Sequence, residues 1–219
     1  MAAHYTWSAF IDSSSDGNAP PGGDVGAQDP FNRRAERARS AFDRPHRFVV
    51  NGVWELPSPG GWAGRNLFGG WQVSRFLTMQ SGAPFTAVDG ADPGQRLTTI
   101  RANEVPNVDL SRMSVSEILQ AGGAALFPRV TAAQGLGALG RNVLHASGIK
   151  NVDFGLVKNT GMPRLGETAR LQFRAEFYNL SNTRNFGIPN GQVSSNNFLN
   201  QWGTDGGNPR IVMALRLVF

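Results

Sequence analysis

Between positions 170 and 177 the side chains alternate without a break. Arg170, Gln172, Arg174 and Glu176 fall on one side, and Leu171, Phe173, Ala175 and Phe177 on the other. An extended chain sends successive side chains to opposite faces, so this stretch makes a strand with one apolar and one polar face. A helix would mix the two sets, because its period is 3.6. Four large polar groups opposite so smooth a stripe do not suit a sandwich core. They suit a sheet that meets hydrocarbon on one side and a watery lumen on the other. The chain closes on the same pattern. Ile211, Met213, Leu215, Leu217 and Phe219 oppose Arg210, Val212, Ala214, Arg216 and Val218.

Four further segments alternate in the same way, which gives six predicted strands at 3–12, 46–56, 70–80, 149–159, 168–180 and 208–219. Phe48, Val50, Trp54 and Leu56 oppose Arg47, Asn51 and Glu55. Trp71, Val73, Leu77 and Met79 oppose Gln72, Ser74, Thr78 and Gln80. Val152, Phe154 and Leu156 oppose Asn151, Asp153 and Gly155. Tyr5, Trp7, Ala9 and Ile11 oppose His4, Thr6, Ser8 and Asp12. A tilted strand of about ten residues is long enough to cross the hydrocarbon layer. Arg75 breaks the scheme, since it stands mid-strand on the apolar side, where an arginine costs roughly 2–4 kcal/mol at the bilayer midplane.

The connectors alternate in length. Those at 13–46, 81–148 and 181–207 are long, and those at 57–69 and 160–167 are short. In an antiparallel meander alternate connectors share an edge, so all the long ones lie together. Outer-membrane barrels have long extracellular loops and short periplasmic turns. The fold class expected is therefore all-β: an antiparallel, up-and-down transmembrane β-barrel portion of about six strands with long extracellular loops. Because the smallest such barrels have eight strands, this portion is expected to be unclosed. Residues 1–219 would then be the C-terminal segment of a barrel domain, probed for its missing remainder in the DNA upstream of Met1.

Composition removes several other classes. Cysteine is absent, which excludes a disulfide framework and Cys-ligated zinc. No run approaches the roughly 18 apolar residues of a spanning helix, and no signal-peptide pattern opens the sequence. Lys and Arg number 21 against 16 Asp and Glu, with Arg33, Arg34, Arg37, Arg39, Arg44 and Arg47 close together. Glu36 and Asp43 interrupt that run and no aromatic platform accompanies it, so it reads as a solvated basic loop and no nucleic-acid partner is expected. The polar, turn-forming stretch 13–29 has little to pack. One short helix is expected at 116–121, where Ser114 and Glu117 have the spacing of a capping box.

Chemical motifs are weak. Gly135, Gly137 and Gly140 match a dinucleotide fingerprint, but no strand precedes them and no helix follows, so a flexible loop is expected. His4, His46 and His145 lack metal-ligand spacing. Asp12, Asp16 and Gly17 share only a fragment of a calcium loop. The sequon at Asn179 has no meaning for a bacterial barrel. Catalytic residues, metals and cofactors are not expected.

Several stretches resemble the C-terminal end of TonB-dependent receptors of the Oar-like type, which often carry a carboxypeptidase-regulatory-like N-terminal domain. They are Tyr5-Thr6-Trp7-Ser8, Phe42-Asp43-Arg44-Pro45-His46-Arg47-Phe48-Val49, Gly70-Trp71-Gln72-Val73-Ser74 and Gln80-Ser81-Gly82-Ala83-Pro84-Phe85-Thr86. Gly140-Arg141-Asn142 and Lys150-Asn151-Val152-Asp153 follow. The most specific is Leu171-Gln172-Phe173-Arg174-Ala175-Glu176-Phe177-Tyr178-Asn179-Leu180, with Asn185-Phe186-Gly187 after it. Arg75 stands where that family tends to carry a small residue.

The resemblance implies a many-stranded outer-membrane barrel filled by a plug domain, which this sequence lacks. It implies substrate uptake or export energised through TonB. The implied partners are outer-membrane lipid, the remainder of the barrel and its plug, the TonB system and the barrel-assembly machinery. Ile211, Met213, Leu215, Leu217 and Phe219 would carry the assembly signal. Arg170, Gln172, Arg174, Glu176, Arg210 and Arg216 would face the lumen. The competing reading is a secreted, soluble β-sandwich binding or adhesin-like module, whose apolar stripes would be sealed against a second sheet.

Overall fold

A computed structural model describes residues 1–15, 26–61, 64–90, 99–201 and 207–219. Six strands form one sheet: β1 (Ala2–Trp7), β4 (His46–Glu55), β5 (Trp71–Gln80), β8 (Ile149–Gly161), β9 (Arg170–Tyr178) and β10 (Arg210–Val218). Their spatial order is their chain order, and every neighbouring pair is antiparallel. The sheet is an up-and-down meander. Strands β1 and β10 are its edges and do not pair with each other, so the sheet is open.

Four two-residue strands lie outside it: β2 (Ile11–Asp12) pairs with β3 (Ala38–Arg39), and β6 (Pro84–Phe85) with β7 (Leu144–His145). The first predicted strand thus divides. After Trp7 the chain leaves the main sheet, and Ile11 and Asp12 turn aside to meet Ala38 and Arg39. The reason is a local hydrogen-bond set. Asp43 accepts from the Phe10 amide at 2.9 Å, and the Ser40 amide donates to the Phe10 carbonyl at 2.8 Å.

The alternation expected from the sequence is preserved across the sheet. Leu217, Leu171 and Thr160 share a row, as do Leu215, Phe173, Lys158 and Trp71, and Met213, Ala175, Leu156, Val73 and Trp54. Within the six strands only Gly155 and Ala175 are buried, so neither face of the sheet is covered. Leu215 is 69% exposed and Leu217 is 41% exposed. No second sheet seals the apolar stripes among the described residues, which removes the structural requirement of the sandwich reading.

The hydrophobic core lies elsewhere. Phe85, Leu110, Val115, Ile118, Phe127, Leu139, Leu144, Val193 and Leu199 cluster in the long connectors, which all leave the sheet at the same end of its strands. A short helix, α1 (Val115–Gln120), belongs to this layer and places Val115 and Ile118 inward. Ser114 caps it, with the reciprocal bond from the Ser114 amide to Glu117 at 2.7 Å. Those bonds hold the Glu117 carboxyl below the ordinary carboxylate range.

Ion pairs, each with at least one buried partner, fasten the layer together. Glu36 and Asp43, the acids that interrupt the basic run, are both 1% exposed. Arg101 donates to Glu36 at 2.7 Å and to the Leu139 carbonyl at 2.8 Å. Asp43 pairs with Arg39 at 2.5 Å. Arg141 reaches back to the Glu36 and Asp12 carbonyls at 3.0 and 2.9 Å and pairs with the Asp12 carboxylate. The arginines at 33, 34 and 37 stay exposed, as a solvated loop requires.

Two loop expectations need correction. Stretch 13–29 does have something to pack: the Gln28 side chain is buried, donating to the Gly137 carbonyl at 3.0 Å and accepting from the Arg101 amide at 3.2 Å. Asp16 and Gly17, the rest of the fragmentary calcium pattern, lie outside the described residues. The segment of Gly135, Gly137 and Gly140 is a loop, but a packed one. Any Cβ on Gly137 would overlap the Arg101 carbonyl, so the glycine serves close backbone approach rather than phosphate binding.

This layer yields two expected outcomes. Replacing Arg141 with Met leaves Asp12 and the Glu36 carbonyl without their buried donor, a loss of about 3 kcal/mol. Protease added outside intact cells should then cut the long connectors faster, with membrane insertion unchanged; equal cutting of the two proteins would refute the role. The second concerns pH. Burial raises the Asp12 carboxyl, but hydrogen bonds from Ser40, Arg141 and Ser15 outweigh it, so it titrates below its ordinary 3.8. A depressed carboxylate contributes stability above its unfolded value and loses it as pH falls through the folded one. Protease resistance of the connectors should hold from neutrality to about pH 4 and fall only below that.

Candidate functional site: a two-sided wall

The six strands bring all their acidic residues to one face. Glu55, Asp153 and Glu176 share it with Arg170, Gln172, Arg174, Arg210 and Arg216. Hydrogen bonds within and between neighbouring strands join these groups locally. Gln72 donates to Glu55 at 2.8 Å, and Gln172 donates to Asn159 at 2.9 Å. Asn151 donates to Asp153 at 3.0 Å. Near the end of β9, Glu176 accepts from the Tyr178 hydroxyl at 2.8 Å and lies 3.5 Å from Arg174. The Arg210 guanidinium stacks over the Tyr178 ring at 4.8 Å.

Of the six residues expected to face a lumen, the fold therefore joins three, Arg174, Glu176 and Arg210, through Tyr178. Gln172 is joined instead to Asn159. Arg170 and Arg216 sit nearer the other end, in register with Val218 and Gln172. Tyr178 and Asn159 escaped the sequence reading, although their distance in steps of two from Glu176 and Asp153 was available as a signal. Phe76 and Val53 make the polar face partly apolar at its middle.

The other face has no acid in any strand. Its polar contacts occur only at the two ends. At one, Tyr5 meets His46 through a 2.8 Å hydrogen bond and a stacked contact. At the other, the Lys158 ammonium lies 5.4 Å from the Trp71 ring and donates to the Gly69 carbonyl. Between these rims the face is aliphatic and aromatic apart from Arg75. Aromatic rims around an apolar band are how a strand surface meets the two interfaces of a bilayer.

The long connectors and the folded layer all lie at the Tyr5–His46 end, and the short turns at the Trp71–Lys158 end. The histidines stay dispersed: His46 at the rim, His4 on β1, His145 in β7. Burial and the nearby Arg39 charge push the His145 imidazole below its ordinary range, against a Ser111 hydrogen bond and Asp43. Among the described residues no three His, Asp or Glu side chains gather as a metal site would require.

A family model for an outer membrane beta barrel domain matches residues 1–212. The chain belongs to that family. It is an outer-membrane barrel protein, and the apolar face with its two rims is the surface such a protein turns to lipid. No curated protein and no solved structure gives a significant match.

The two faces should differ in their tolerance of charge. Met213→Arg, on the apolar side of β10 and further from the Trp71–Lys158 rim, should cost roughly 2–4 kcal/mol of folding stability in lipid, whereas neighbouring Ala214→Arg on the polar side should cost under about 1 kcal/mol. Refolding into vesicles across a urea series would measure both. Equal penalties would sink the two-sided assignment.

Proposed function

We propose that the chain is wall material of a TonB-dependent outer-membrane transporter of the Oar-like type, with a transport rather than an enzymatic role. The observation that supports this most is the paired polar groups on one face, Glu55–Gln72 across β4 and β5 and Arg174–Glu176–Tyr178–Arg210 on β9 and β10. A wall turned to bulk water needs no such cross-linking, since water satisfies each group. A lumen occupied by a folded plug needs fixed, charged contact points, and the Arg174–Glu176–Tyr178–Arg210 group offers them.

Two unpaired edges, β1 and β10, call for further strands, because exposed strand edges in a membrane leave backbone groups without partners. In this reading those strands and the plug complete the barrel. Energy from TonB reaches the plug, not this wall. Ile211, Met213, Leu215 and Leu217 share the apolar face of the edge strand β10, and exposed Phe219 follows its end. There the barrel-assembly machinery could grip it by pairing with the open edge.

The test is site-specific cross-linking in intact outer membranes. A photoreactive residue at Arg174 should capture a polypeptide segment of the plug, whereas one at Phe173 should capture lipid. Accumulation of the transported substrate should also cease when TonB is removed. Capture of nothing but solvent at Arg174, with transport indifferent to TonB, would overturn the reading.

A further inference from the structure

Arg75 occupies the middle of β5 on the apolar face, in register with Gly52 on β4 and Phe154 on β8. Register runs unbroken on both sides of it, so no bulge turns it inward. Its side chain is exposed and, among the described residues, engages no hydrogen bond or ion pair. No counter-ion is available within the sheet, because Glu55, Asp153 and Glu176 all lie on the opposite face. An anion for this guanidinium must come from outside the protein surface on which it stands.

The neighbouring position gives that anion room. Gly52 has no side chain, and a recess of about 340 Å³ opens beside Arg75, walled by Val50, Trp54, Val73 and Leu77. Met1 packs over Gly52, where a Cβ would come within 3.1 Å of it, and forms one side of the recess. Arg75 stands four positions along the strand from Trp71, at the short-turn end. At ~3.3 Å per residue and ~45° tilt, that is roughly 9 Å of depth. A long stem laid along the strand carries the guanidinium most of that way, as snorkelling arginines do. The nearest headgroups are those of the periplasmic leaflet.

We propose that Arg75 and the Gly52 recess form a binding site for one anionic phospholipid of the periplasmic leaflet. The phosphate pairs with the guanidinium, whose planar fork suits two of its oxygens. An acyl chain fills the recess against Val50 and Leu77. The Trp71–Lys158 rim marks the interface just below, where the rest of the headgroup sits.

The protein, isolated from outer membranes in a non-ionic detergent, is titrated separately with phosphatidylglycerol and phosphatidylcholine. Bound lipid is counted by native mass spectrometry. The wild type should show a several-fold preference for phosphatidylglycerol. Arg75→Gln should bring that preference to parity, Arg75→Lys should keep part of it, and Gly52→Val should weaken binding of both lipids with the charge intact. Arg75→Gln removes a charge from a lipid-facing surface, so loss of folding is not expected; resistance to unfolding on unheated gels confirms it for each variant. A phosphatidylglycerol preference unchanged in Arg75→Gln would overturn the proposal. So would Arg75-dependent retention of lipopolysaccharide or of a polypeptide in place of phospholipid.

Discussion

Water is missing from one side of this sheet, and that constraint organises the rest. A strand in hydrocarbon has nowhere to place an amide or carbonyl except on the next strand. The meander answers it with uninterrupted ladders from β1 to β10 and no bulge at any described junction between β4, β5 and β8. Side chains follow the backbone. With the ladder fixed, each residue has only two directions, and acids are confined to one of them.

This inverts the usual relation between sheet and core. In a soluble β-protein the sheet's apolar face is the core. Here that face is left to the solvent lipid, and the packed interior of Phe85, Leu110, Ile118, Phe127 and Leu144 is built from connectors outside the membrane. Such a layer is too small and too polar at its edges to rest on apolar burial alone. Its arginines, Arg101 and Arg141, are nearly inaccessible and each binds backbone as well as a carboxylate. A buried pair of this kind contributes little net stability against an apolar substitute, but it fixes which segments meet.

The strands and their faces were legible in the sequence because period two is a local signal. Leu171, Phe173 and Leu215 announce their side within a few neighbours. The meander order and the common edge of the long connectors were legible from length alone. What could not be seen was long-range: that Glu36, read only as an interruption in a basic run, is the counter-ion of Arg101, or that Gln28 reaches Gly137. No periodicity links residues more than sixty positions apart. The split of the first strand escaped because Asp43, at the far end of the same connector, captures the Phe10 amide. Capping of α1 was visible because Ser114 and Glu117 are three residues apart.

The Asp12–Arg141 clasp has a mechanical consequence. Strand β1 is an edge and could slide along β4 by two residues without moving any side chain to the wrong face. Asp12, five residues beyond its end, is tied to a connector that springs from β5 and β8. Sliding β1 would have to pull Asp12 away from Arg141. The folded layer outside the membrane thereby acts as a ratchet stop for a strand inside it, and sets an order of events: the hairpins must stand side by side before the clasp can close, and afterwards the edge can no longer creep.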